Sequence, residues 1–245
     1  MVIRVCALIY GVTVYVLFVL TCLYCICFVG NVIVPKTIDS GPVISFSKSL
    51  VINIILLVLW GTQHSLMARQ WFKDWWTKFI KPPIERSTYV LIATLLLILL
   101  FYRWRPMPQV VWNMENPLGA LALSSLYYIG WLSMFYSTFL IDHFDLFGLR
   151  QVYLYFRGKE YTPIIFKTPA LHKVVRHPIM FSLFVVFWAT PMMTIGRLVF
   201  AVVLTIYTIT GTLLEERDLI KMYGETYLSY KQKISMFFPI PKRNS

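Results

Sequence analysis

Six long, nearly uninterrupted apolar stretches limit what this chain can become: about 5–30, 50–67, 87–102, 118–140, 178–196 and 198–214. An α-helix needs ~20 apolar residues to cross the hydrocarbon of a bilayer. A β-barrel would instead show ten-residue alternating segments. The bulk figures agree, with 58% hydrophobic and 14% charged residues and a mean hydropathy of +0.66, where soluble domains carry about a quarter charged residues. The sequence therefore predicts an all-α fold, a polytopic integral membrane helical bundle of about six spans (five to six), with 1–245 as a single membrane domain. The third and sixth stretches are short, and need support from neighbouring helices or a locally thin bilayer. The first exceeds the apolar region of a signal peptide and has no small-residue cleavage site after it.

The formal charge of +12 would suggest nucleic acid in a soluble protein, but its distribution says otherwise. With six spans, the N-terminus, the 68–86 and 141–177 loops and the tail from 215 share one side and hold all but five of the 23 Lys and Arg. The exceptions are Lys36, Lys48, Arg103, Arg105 and Arg197. The positive-inside rule then puts both termini in the cytoplasm, of a bacterial inner membrane if the source is bacterial. Lys231, Lys233, Lys242 and Arg243 of the tail favour anionic lipid. The expected partner is the lipid bilayer, with no nucleic acid.

Several polar features have a plain explanation. Cys6, Cys22, Cys25 and Cys27 all fall in the first apolar stretch; thiols in hydrocarbon resist deprotonation and act as small apolar residues. Asp142, His143 and Asp145 match no established ligand spacing, so they read as helix-end polarity and no metal is expected. His172, four residues before Arg176, reads as part of a solvated face. Pro191 ends the fifth stretch early or sits at its turn. Gln63, His64 and Ser65 close the second stretch, either as interhelical hydrogen-bond glue or as the lining of a pocket. Tyr223, Tyr227 and Tyr230 recur at helical spacing, which predicts a cytoplasmic C-terminal amphipathic helix that Gly224 weakens. Its tyrosines either anchor in lipid or line a cofactor pocket.

Two motifs concentrate ionisable groups beside hydrocarbon: Arg176-His177-Pro178 and Glu215-Glu216-Arg217-Asp218, separated by one apolar hairpin. Pro178 suits the first turn of a helix. The amides beyond His177 then form an anion site, and Arg176 adds a bidentate donor. Glu215 and Glu216 suit an ammonium group or ribose hydroxyls. Adjacent helix residues diverge by ~100°, so one carboxylate turns away, and Glu215 is preferred as the inward one.

Arg176-His177-Pro178, then Glu215-Glu216-x-x-Leu219, then Tyr223-Gly224-Glu225-x-Tyr227-x-x-Tyr230 resembles the C-terminal module of the isoprenylcysteine carboxyl methyltransferase superfamily. The resemblant module covers 172–240. The segments Gly61–Ala68, Glu85–Val90 and Leu146–Val152 narrow the likeness to bacterial methanethiol S-methyltransferases and the related nurim group. From nurim the chain differs in keeping paired glutamates. Met180 and Ser182 stand where the superfamily has Tyr and Gly, which speaks against an isoprenylcysteine substrate.

The resemblance implies a methyltransferase that uses S-adenosylmethionine as methyl donor and a small thiol, methanethiol, as acceptor, with dimethyl sulfide as product. It implies Arg176, His177, Pro178, Glu215, Glu216, Tyr227 and Tyr230 as cofactor-binding residues. His177 and His64 are the candidate bases, and Gln63 and His64 the candidate acceptor residues. The other readings are an isoprenylcysteine or lipid methyltransferase, a non-catalytic nurim-like structural protein, and a small transporter. The last would show an inverted repeat, and none is visible.

Overall fold

The computed structural model describes residues 1–163 and 168–239; Lys167, Lys242 and Arg243, counted above with the basic side, lie outside them. Five helices among the described residues are long and apolar enough to cross a membrane: α1 (Val2–Gly30), α2 (Phe46–Met67), α4 (Pro82–Arg103), α5 (Pro117–Ile141) and α9 (Ile195–Tyr223). Shorter ones complete the chain: α3 (Gln70–Trp76), α6 (His143–Leu146), α7 (Leu149–Phe156), α8 (Pro178–Trp188) and α10 (Glu225–Lys233). Contacts group the chain into two compact units, one built on 1–109, 142–165 and 194–199, the other on 110–141, 166–193 and 200–245.

The first unit packs α1 against α4 and α7, and α2 against α4. Pro82 and Pro83 start α4, where a missing N–H costs nothing and a fixed φ suits the helix. The expected short third span is therefore a full 22-residue helix. Tyr10 of α1 hydrogen-bonds Thr88 of α4 at 3.0 Å. Phe28, Phe101 and Trp104 form the aromatic core at one end, with the Trp104 indole N–H donating to the Ile38 carbonyl at 2.9 Å. Ile9, Val12, Val16 and Leu20 of α1 point outward, as a lipid-facing surface requires, since lipid tails are as apolar as leucine.

Gly148 caps α7 from outside with φ of +86°. A Cβ there would meet the Ser87 backbone nitrogen at 2.7 Å, so neither the conformation nor the space admits a side chain. Beside it, Asp142 Oδ1 accepts the Asp145 N–H at 3.1 Å. Asp145 pairs with Arg150 at 2.9 Å, and the His143 ring meets the Tyr15 hydroxyl at 2.8 Å. Asp142 and Asp145 are spent on the α6–α7 turn, as helix-end polarity implies, while His143 ties that turn to α1.

In the second unit α5 packs along α8. Ser182 donates to Ser133 at 3.0 Å, and the small Gly130 meets Val186 and the Ser182 carbonyl, the close approach that small residues permit between membrane helices. The expected fifth span, 178–196, is not one helix. α8 stops after 11 residues at Trp188, because Pro191 has no N–H and pushes Thr190 out of the α region. At 1.5 Å per residue α8 rises only ~16 Å, and the chain continues in extended form through β2 (Met192–Thr194). Its polar groups are met by pairing with β1 (Val110–Asn113), by the Met114 N–H on the Pro191 carbonyl at 2.8 Å, and by Trp112 on the Thr190 carbonyl at 3.3 Å. Backbone groups that leave a helix need such partners. The sixth span is correspondingly longer than expected. α9 runs 29 residues from Ile195, past the Glu215-Glu216 motif to Tyr223. A break at Gly224, φ +53°, splits the tyrosine stripe and turns the chain into α10.

Replacing Gly148 with alanine should destabilise the detergent-solubilised protein by about 2 kcal/mol or more. A thermal or chemical denaturation curve superimposable on the wild type would show the tight Gly148–Ser87 approach to be unimportant.

Candidate functional site

One carboxylate gathers the second unit's buried charges. Glu216, 1% exposed, lies on the inner face of α9. Its Oε1 accepts from Arg176 Nε at 2.7 Å, lies 3.2 Å from His177 Nε2 and accepts from the Tyr227 hydroxyl at 3.2 Å. Its Oε2 pairs with Lys231 Nζ at 2.9 Å. Glu215, one position earlier and therefore ~100° round the helix, is half exposed and lies 3.9 Å from His177 Nδ1. The preference for Glu215 as the inward carboxylate is thus reversed: Glu216 turns in and Glu215 faces outward.

Arg176 is held on three sides. Besides Glu216, its Nη1 donates to the Lys231 carbonyl at 3.1 Å and to the Ile234 carbonyl. Its backbone N–H reaches the Ser235 carbonyl at 2.8 Å, and that of His177 reaches Met236 at 3.1 Å. The segment after α10 therefore lies beside Val175–His177 as a short parallel bridge. Arg176 Nη2 makes no hydrogen bond among the described residues, so part of its fork remains for a ligand. His177 is the N-cap of α8 and supplies no side-chain cap; Pro178 occupies the first helical position. The Ile179 and Met180 amides of that first turn point the way an anion is bound. Phe237 approaches the His177 ring at 6.2 Å and Phe184 at 5.0 Å, which adds an aromatic wall.

The tyrosines are structural neighbours of this cluster. Tyr227 is buried, and burial together with the Glu216 charge raises its phenol above the ordinary range, so it stays a donor. Tyr230 donates to the His172 carbonyl at 2.6 Å, and burial pushes its phenol up to about 12. His172 itself is buried, 8% exposed, against the expectation of a solvated face, and its Nδ1 has no hydrogen-bond partner among the described residues. Desolvation holds its imidazole below 6.5, with the neighbouring His177 adding to the effect and a hydrogen bond at Pro169 opposing it.

Gln63 and His64 belong to the first unit. His64 stacks on Trp60 at 5.0 Å and touches Tyr89 at 5.2 Å; its carbonyl accepts the Tyr89 hydroxyl at 3.2 Å. The Gln63 amide donates to Met67 of its own helix at 3.0 Å, while its Oε1 is buried without a partner among the described residues. Gln63 is therefore not a side-chain bridge between helices. Lys231 and the 234–236 segment escaped the sequence reading, which assigned Lys231 to lipid. The Gly224 break was the available signal, because a chain that turns there can fold α10 back onto Glu216.

Five long apolar helices define a multi-pass membrane protein, and its second unit holds a buried carboxylate clamped by cations. No protein-family profile matches the chain, and no solved structure does. Curated sequences match over almost its whole length. Methanethiol S-methyltransferase 1 of Bradyrhizobium diazoefficiens is 53% identical over 233 residues, 95% of this chain and 82% of that one. The methanethiol S-methyltransferase of Mycobacterium tuberculosis is 48% identical over 242 residues, 99% of each. Bos taurus nurim is 34% identical over 179 residues, 69% of this chain and 68% of its own. The chain belongs to the methanethiol S-methyltransferase family and is a membrane methyltransferase, with nurim a more distant relative.

Two outcomes test this geometry. Glu216→Ala should destabilise the protein by ~3–5 kcal/mol because it strands Arg176 as a buried charge, whereas Glu215→Ala should stay within about 0.5 kcal/mol; equal losses in a denaturation series would contradict the assignment. For His172 the folded pKa lies below the unfolded 6.5, so the unfolded state binds more protons between the two values. Its contribution to stability is complete above 6.5 and falls as the pH drops below it. Melting temperatures of His172→Gln should therefore decline less than wild type on acidification.

Proposed function

We propose that this protein transfers the methyl group of S-adenosylmethionine to methanethiol, giving dimethyl sulfide. The single observation that carries this reading is full-length likeness to methanethiol S-methyltransferases, 48% identity over 99% of both chains. The second unit's residues suit such a donor. The uncapped first turn of α8 and Arg176 Nη2 offer hydrogen bonds to an amino-acid carboxylate. Glu215, half exposed beside His177, accepts an ammonium group or ribose hydroxyls, and the aromatic wall of Phe184 and Phe237 suits a base or a sulfonium. When bound, S-adenosylmethionine supplies a methyl group already activated by its positive sulfur.

The work left to the protein is alignment and proton handling. A thiol reacts as its thiolate, so a base must accept one proton. With Nε2–H directed at Glu216, His177 keeps Nδ1 as the acceptor atom; His64 is the second candidate base, and Gln63 with its buried Oε1 is assigned with it to the acceptor. Glu216 acts by holding Arg176 and His177 in place, and Pro178, Tyr227 and Tyr230 complete the 172–240 module. The membrane is a bacterial inner membrane with both termini in the cytoplasm, the side on which the basic loops gather.

Purified protein, labelled S-adenosylmethionine and methanethiol should release labelled dimethyl sulfide. His177→Ala should lower kcat about a hundredfold, the scale of a general base, and Glu215→Ala should weaken donor binding about tenfold. No binding of S-adenosylmethionine by the wild type would end this reading. Binding without turnover of methanethiol would overturn the acceptor.

A further inference from the structure

Outside the methyl-transfer site, one cluster of cations has no function so far. At the end of α4, Lys36, Arg103 and Arg105 converge. The Lys36 ammonium donates to the Tyr102 carbonyl, and Arg103 lies over the Tyr102 ring at 5.4 Å. The carboxylate on the adjoining connector, Asp39, is taken by Arg197 at 2.7 Å and by Thr194 at 2.6 Å. It therefore does not neutralise the cluster. Burial, then the charges of Arg105 and Arg103, depress the Lys36 ammonium, as expected where cations lack counter-ions.

The arginines border a cavity of about 290 Å³ whose other walls are Ile52, Ile55 and Leu56 of α2. That is near the low end of ligand-pocket volumes, ~300–1,000 Å³. Arg105 Nε is buried and has no hydrogen-bond partner among the described residues. Its backbone is fixed independently: Asn53 Nδ2 donates to the Arg105 carbonyl at 2.7 Å, and the Arg105 N–H donates to Asn53 Oδ1 at 2.9 Å. Asn53 thus fixes the backbone of Arg105 beside a cavity whose walls are aliphatic, including the stems of the two arginines, and whose Ile55 is open to the surroundings, 58% exposed.

We propose that this cavity is a binding site for an anionic phospholipid. The phosphodiester sits between Arg103 and Arg105, which present forked donors suited to phosphate. The first part of one acyl chain lies along Ile52, Ile55 and Leu56. Free phosphate would use the arginines but leave the aliphatic wall bare at the membrane surface, which is why a lipid fits better. The site explains why arginines stand at a helix end that the charge bias of the chain leaves otherwise poor in cations.

The test is native mass spectrometry of the full-length protein in neutral detergent, titrated with phosphatidylglycerol or with phosphatidylcholine of the same chains. Phosphatidylglycerol should be held about tenfold more tightly, a preference of the size expected for one or two surface cations. Arg103→Gln/Arg105→Gln should abolish that preference while the Asn53 contacts to the backbone keep the fold. Ile55→Trp, which fills the groove with both arginines intact, should weaken phosphatidylglycerol as well. Equal binding of the two lipids, or an unchanged preference in the arginine variant, would overturn the site. Binding of inorganic phosphate as tight as that of phosphatidylglycerol would overturn the lipid assignment. None of these readings involves turnover, so they stand apart from the methyl-transfer reaction.

Discussion

The second unit depends on one buried carboxylate. Glu216 is buried on α9, and it is tolerable there only because Arg176, His177, Tyr227 and Lys231 converge on it. Desolvating such charges costs several kcal/mol per ion unless geometry and hydrogen bonding offset it. The tight distances, the double-carbonyl anchoring of Arg176 and the protonated Tyr227 are the means by which this is met. Because the partners come from the residues just before α8 and from α10, the same interaction that neutralises Glu216 also brings those segments to α9.

The interrupted fifth stretch has a local cause, Pro191, and a consequence for length. α9 climbs without a break, so the chain returning to its start needs more length than α8 supplies. An extended stretch rises ~3.3 Å per residue against 1.5 Å in a helix, and Ala189–Thr194 makes up the difference in few residues. The exposed peptide groups of that stretch are then satisfied by β1 and by neighbouring side chains. The end of α8 at Trp188, three residues before Pro191, thus leaves a short helix whose uncapped first turn starts beside the Glu216 cluster, the arrangement on which the proposed donor binding rests.

Much of this was legible in the chain itself. The apolar stretches located α1, α2, α4, α5 and α9, and the Pro82-Pro83 pair marked the true start of α4 beyond the apolar edge. The Arg176-His177-Pro178 and Glu215-Glu216 motifs marked the site and the family. What was not legible was rotation: periodicity says that Glu215 and Glu216 diverge, but which one turns inward depends on how α9 packs. His172 and Lys231 were misread for a related reason. Each is polar and close to a membrane boundary, where solvent or lipid is the default; the fold-back after Gly224 brings Lys231, still partly exposed, onto Glu216 and Tyr230 onto the buried His172.

By itself the sequence determined the membrane class, the boundary motifs and the family: hydrocarbon thickness and backbone hydrogen bonding leave few alternatives for such apolar runs, and the paired motifs carry the likeness. The tertiary structure alone decided that Glu216 is the hub, that Tyr227 and Lys231 serve it, and that the fifth apolar stretch is a short helix followed by an extended segment. These are matters of rotation about a helix axis and of long-range pairing. No local pattern encodes them, since they depend on which distant groups meet: Arg176 and Lys231 on Glu216, and β1 on β2.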